Sequence, residues 1–109
     1  MKINLSVKHE EKYNPRIIAE IDAPEYEGQE YELLFSYWLR EEPIFPLGLF
    51  RGKIKKGETV SFRCVTPTHY FITCEPCEKY YIKLTVGENT EETFLEYSKV
   101  FPHLKNYGF

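Results

Sequence analysis

Apolar and polar residues alternate with period two along most of this chain, the pattern of strands that bury one face and wet the other. Ile3, Leu5 and Val7 alternate with Lys2, Asn4, Ser6 and Lys8. A charged stretch from His9 to Pro15 ends in Asn-Pro, a turn signal. Ile17, Ala19, Ile21 and Ala23 then share a face opposite Arg16, Glu20 and Asp22, with Ile18 out of phase. In the third segment Tyr31, Leu33, Phe35, Tyr37 and Leu39 share one face. Leu34 and Trp38 fall on the other, so this strand is expected to be central and partly covered on both sides.

Pro43 and Pro46 interrupt the next stretch. Proline cannot donate to a sheet ladder, so Glu41 to Leu47 is expected as an edge segment or loop, followed by a short strand from Leu49 to Ile54. Lys55-Lys56-Gly57-Glu58 reads as a tight turn. Val60, Phe62 and Cys64 alternate with Thr59, Ser61 and Arg63, and a further strand is expected from Tyr70 to Cys74. Tyr80, Ile82, Leu84 and Val86 form an inward set against Lys79, Tyr81, Lys83 and Thr85. From Glu91 to Phe101 two patterns compete. Phe94, Tyr97 and Phe101 have helical spacing, whereas Thr93, Leu95 and Tyr97 suit a strand that closes the sheet, and the strand is expected because a sandwich needs a closing element. Strands are thus predicted near residues 2–8, 16–23, 30–40, 59–65 and 79–87. Seven or eight of them, separated by turns every ten or so residues, predict one all-β domain over 1–109, an antiparallel β-sandwich.

Composition agrees. The 109 residues suffice for one core, and an aromatic share of 17%, with 9 Tyr and 8 Phe, supplies the apolar surface that disordered chains lack. A net charge of −3 argues against nucleic acid, since phosphate binding needs a basic face. Lys53, Lys55 and Lys56 read as a solvated hairpin end. No apolar run approaches the roughly 20 residues of a spanning helix, so no membrane insertion is expected. Met1 to Val7 lacks the apolar centre of a signal peptide, which points to the cytoplasm.

Candidate chemistry is sparse. Cys64, His69, Cys74 and Cys77 form C-x4-H-x4-C-x2-C, a spacing able to close a Cys3His zinc site. Against it, Cys64 falls on an inward strand face, where a thiol is a small hydrophobe, and the C-x2-C occurs once. The expectation is no cofactor, with zinc as the alternative. His9 and His103 are expected to be solvated, and neither a nucleophile elbow nor a glycine-rich phosphate loop occurs, so no catalytic residues are expected.

The segment Pro76-Cys77-Glu78-Lys79-Tyr80-Tyr81-Ile82-Lys83-Leu84-Thr85-Val86 resembles the entry to the penultimate strand of immunoglobulin-like or fibronectin-type-III-like modules, with Tyr80 placed as their corner tyrosine. The resemblance implies that the Tyr80 hydroxyl returns to the preceding loop and that Trp38 serves as the core aromatic. The cysteine pair that joins the sheets of antibody domains is missing. Such modules mediate contacts or space other domains. The expected function is therefore a non-enzymatic protein-interaction or accessory module, excised from a larger protein. The alternatives are a stand-alone regulator, such as a phage-type inhibitor of a host protein, and a zinc-stabilised domain. The partner contact is expected at Ile44 and Phe45, because a proline-broken apolar stretch must pack on its own sheet or meet a partner, and at Trp38 and Tyr81, which with Phe45 are expected as an exposed aromatic platform for a protein in preference to a sugar ring.

Overall fold

A computed structural model describes residues 1–9, 15–39, 41–64 and 79–100. Those residues form an antiparallel β-sandwich. The strands are β1 (Lys2–Lys8), β2 (Arg16–Asp22), β3 (Glu30–Leu39), β4 (Glu42–Lys53), β5 (Thr59–Arg63), β6 (Lys79–Val86) and β7 (Asn89–Glu96). One sheet has the order β1-β2-β5 and the other β4-β3-β6-β7.

The inward sets predicted from alternation build the layer between the sheets. Ile17, Ala19, Ile21 and Ala23 are buried on one side, and Tyr31, Leu33, Phe35, Tyr37, Tyr80, Ile82, Leu84 and Val86 on the other. Ile3, Leu5 and Val7 are half-buried because β1 is an edge strand. Phe35 lies at the centre, stacked on Phe62 of the opposite sheet at 4.7 Å between ring centroids and met edge-on by Phe50 at 5.8 Å. Each ring contributes apolar area and a favourable ring–ring geometry in the same contact. The Lys55–Glu58 turn forms as expected, with the Glu58 N–H donating to the Lys55 carbonyl at 3.1 Å and Gly57 taking a φ of 78°, which a side chain would oppose.

The stretch with Pro43 and Pro46 is the edge segment expected of it, but it is not separate from the strand expected from Leu49 to Ile54: Glu42–Lys53 form one continuous strand, β4. Among the described residues it pairs with β3 alone, at the edge of the sheet, where a missing N–H is tolerated. Its register slips twice, between Phe35 and Ser36 and between Ser36 and Tyr37, and Pro46 and Pro43 pair opposite Ser36 and Trp38 through this irregular half. The closing strand expected from Glu91 forms as β7, but it ends at Glu96, and Tyr97–Val100 then form one helical turn that buries Val100; Phe101 lies outside the described residues. His9 is exposed, as expected, and its Nε2 lies 3.1 Å from the Val100 carbonyl at this turn. The expected strand Tyr70 to Cys74 lies outside the described residues, as does His103.

Candidate partner-binding face

Because β3, β6 and β7 alternate in phase, their second set of side chains shares the outer face of the four-stranded sheet. Across the strands, Trp38 lines up with Lys79 and Glu96, Ser36 with Tyr81 and Phe94, and Leu34 with Lys83 and Glu92. Leu49 of β4 extends the last row beside Leu34. Ser36 sits in the middle, buried, its hydroxyl donating to the Tyr37 carbonyl at 3.1 Å. A small residue there leaves the space over the sheet to the rings on either side.

Those rings form a cluster. Trp38 and Phe94 meet at 4.8 Å with planes 78° apart, Trp38 and Tyr81 at 5.3 Å, and Tyr81 and Phe94 at 5.5 Å. The Lys79 ammonium lies 4.4 Å from the Phe94 ring centroid and 6.0 Å from that of Trp38. A cation over a ring contributes about 0.5–1 kcal/mol at exposed sites, enough to hold the lysine stem across the rings. Phe94 remains 40% exposed and Trp38 half-exposed, whereas Tyr81 is buried beneath them at 5%. Burial, reinforced by a hydrogen bond to the Glu92 carboxylate, pushes the Tyr81 phenol up to about 12. The hydroxyl is therefore neutral at physiological pH and donates to Glu92, which pins β6 to β7 on this face.

The residues singled out from the sequence separate here. Trp38 and Tyr81 do lie together. Trp38 is on the outer face, however, and not in the core between the sheets, because in β3 the inward positions are the odd ones, Tyr31 to Tyr37. Tyr81, expected as an exposed platform, is instead the floor of the cluster. Ile44 and Phe45 lie in β4, with Ile44 paired to Tyr37, and their side chains fall outside the described residues. Sequence reasoning misses Phe94. The signal is present: once Thr93 and Leu95 point inward, Phe94 is a large apolar residue left pointing out, but the competing helical spacing hides that parity.

Cys64 is buried, with its N–H donating to the Pro15 carbonyl at 2.8 Å. Burial pushes its thiol up to about 12 despite hydrogen bonds from the Tyr80 hydroxyl and the Ile17 backbone. It is a neutral core thiol touching Tyr80, whose ring also packs on Tyr37 at 5.6 Å. The other members of the cysteine–histidine pattern, His69, Cys74 and Cys77, lie outside the described residues. So does the loop to which a corner tyrosine would return. Among the described residues no group of three or more His, Cys, Asp or Glu side chains is placed to hold a metal ion, and no helix is long and apolar enough to cross a membrane.

A surface depression lies away from the aromatic cluster, between Gln29–Glu32 and Arg51–Lys53. Glu30, Glu32, Arg51 and Lys53 line it, and Arg51 is already engaged with Glu32 at 2.9 Å, so charged residues outnumber large apolar ones there, unlike the mostly hydrophobic lining of small-molecule sites. Neither a known protein family nor a curated protein sequence matches this chain.

Proposed function

We propose that this chain is a non-enzymatic interaction module of the immunoglobulin-like or fibronectin-type-III-like kind, and that it holds a protein partner on the outer face of its four-stranded sheet. The strand order supports the kinship. Strands one, two and five make one sheet, and strands three, six and seven lie together in the other, as in immunoglobulin constant domains; the fourth strand here joins the third.

The observation that carries the function is the half-exposed Trp38–Phe94 pair over the buried Tyr81. Aromatic side chains anchored in a well-packed surround are what interface hot spots are made of. A sugar ring is the poorer occupant, because Trp38 and Phe94 cross at 78° and offer no shared flat platform. The ring of charges formed by Lys79, Lys83, Glu92 and Glu96 suits the polar rim of a protein contact.

The test is affinity capture of partners by the intact chain, compared with Trp38→Ala and Phe94→Ala chains that retain the native far-ultraviolet circular dichroism spectrum. Each substitution is expected to weaken binding of the captured protein by about 30-fold, the equivalent of ~2 kcal/mol for an aromatic anchor. A partner held equally well by both variants would place the contact elsewhere.

A further inference from the structure

The two edges of the four-stranded sheet are unlike, and they match each other. Ile54 donates its N–H to the Gln29 carbonyl and accepts from the Gly28 N–H, both at 2.8 Å, so its backbone groups point toward β3. The register from Tyr31↔Gly52 to Phe35↔Gly48 is unbroken. Alternation then turns the backbone N–H and C=O groups of Gly52, Phe50 and Gly48 toward β3, and those of Lys53, Arg51 and Leu49 outward. The same alternation carried through β3 and β6 turns Thr90, Glu92, Phe94 and Glu96 of β7 outward on the opposite edge. Among the described residues, no strand pairs with either edge.

We infer that β4 of one molecule pairs with β7 of a second copy, joining the four-stranded sheets head to tail into an open chain. Four observations converge on this occupant. Among the described residues the sheet has four antiparallel strands, an even number, so a copy displaced sideways presents its β4 antiparallel to β7 with no reversal. Among the described residues the exposed large hydrophobics are Leu49 (51%) and Phe94 (40%), one on each edge strand and both on the outer face. The register that sets Leu49 opposite Phe94 also sets Arg51 opposite Glu92 and Lys53 opposite Thr90, and all three are outward-bonding positions on both strands. Lastly, the charges on the shared outer face are complementary between unlike edges and repulsive between like ones: β4 offers Arg51 and Lys53, and β7 offers Glu92 and Glu96. Charged residues are a usual means of keeping sheet edges apart. Here they oppose β4–β4 and β7–β7 pairing but favour β4–β7.

Arg51 keeps its bond through Nε to Glu32 while its remaining N–H groups serve Glu92 of the second copy. A heterologous contact of this kind does not close on itself after two copies and so extends as a chain. Pro43, Pro46 and the register slips confine pairing to the Leu49–Lys53 half of β4.

The test is sedimentation equilibrium of the full chain between about 10 μM and about 1 mM, a range that reaches weak contacts. The weight-average mass is expected to rise with concentration beyond two copies. Arg51→Glu and Glu92→Arg should each associate about tenfold more weakly, because an attraction is replaced by a cross-strand repulsion. An equimolar mixture of these two chains should recover wild-type association, since each altered edge meets a matching one. Leu49→Pro, which deletes an outward N–H, should also block assembly, and Leu49→Asp gives the same readout if the proline chain loses its native spectrum. The Arg51→Glu chain, altered outside the aromatic cluster, should still capture the outer-face partner as wild type does, which separates this contact from the partner-binding reading. A monomer at all concentrations, a mass that stops at two copies, or a mixture that fails to recover would overturn the inference.

Discussion

The two faces of the four-stranded sheet are drawn from the same strands, residue by residue in alternation, yet they serve different ends. On the inner face Leu33, Phe35, Ile82 and Leu84 are completely shielded by the facing sheet. On the outer face no described element lies over the sheet, and Trp38, Tyr81, Phe94 and the Lys79 stem cover one another. The inner face is dry because a second apolar layer exists to meet it. The outer face is dry only at Tyr81 and Ser36, where neighbours on the same face lean over them. An aromatic-rich sequence therefore divides into rings that hold the fold and rings that remain available. Residue type does not distinguish them; the parity of the position in its strand does.

This contrast can be broken most strongly from the inside. Leu84→Ala should cost about 2–5 kcal/mol, the sum of lost transfer energy and an unfilled cavity in a fully buried site. Denaturant titration measures it, and a loss below about 0.5 kcal/mol would mean that the inner face is not the core.

Gly52→Val comes next. A Cβ at Gly52 would lie 2.9 Å from the Tyr31 hydroxyl and 3.0 Å from its ring, on the inner side of an edge strand. The ring would have to move, and with it the hydrogen bond to Glu58 at 3.0 Å. Overpacking of this kind should cost about 1–3 kcal/mol, read as a lower unfolding midpoint.

A smaller effect is expected in alkali. Burial, with Glu58 beside it, pushes the Tyr31 phenol up to about 12, and burial with Glu92 does the same for Tyr81. The unfolded chain loses these protons near pH 10, whereas the folded one retains them. Stability from both groups is thus fully present below pH 10 and is lost as pH rises toward 12. Tyr31→Phe and Tyr81→Phe should each flatten the decline in thermal midpoint over that range, and an unchanged slope would show that the phenols titrate alike in both states.

The weakest effect on stability should come from the outer face. Phe94→Ala removes a ring that is already 40% exposed and is expected to shift stability by about 1 kcal/mol or less. A loss comparable to that of Leu84→Ala would show that the outer cluster is a second core and not a contact surface.

Much of this architecture is legible in the order of residues alone. Period-two alternation needs only the pleat, so Ile17, Ala19 and Ile21, or Tyr80, Ile82, Leu84 and Val86, declare a buried face locally. The same holds for the turn at Gly57, where the backbone demands a residue without a side chain. Proline places Glu42–Lys53 at the margin of a sheet, because a missing donor is a local property. The features that stay hidden depend on neighbours. The continuity of β4 rests on β3 absorbing two register slips, and the order of strand then helical turn after Asn89 rests on β6 supplying a partner as far as Glu96. Alternation sorts Trp38, Tyr81 and Phe94 to one side of their strands, but it does not say which strands are adjacent or in what register. Those facts bring three rings separated by up to 56 positions within 6 Å of one another, and they set Arg51 and Glu92 on opposite edges of one sheet. Local pattern determined which residues turn inward, and the pairing of distant strands decided which outward residues act together, because side-chain direction is set within a strand and proximity only between strands.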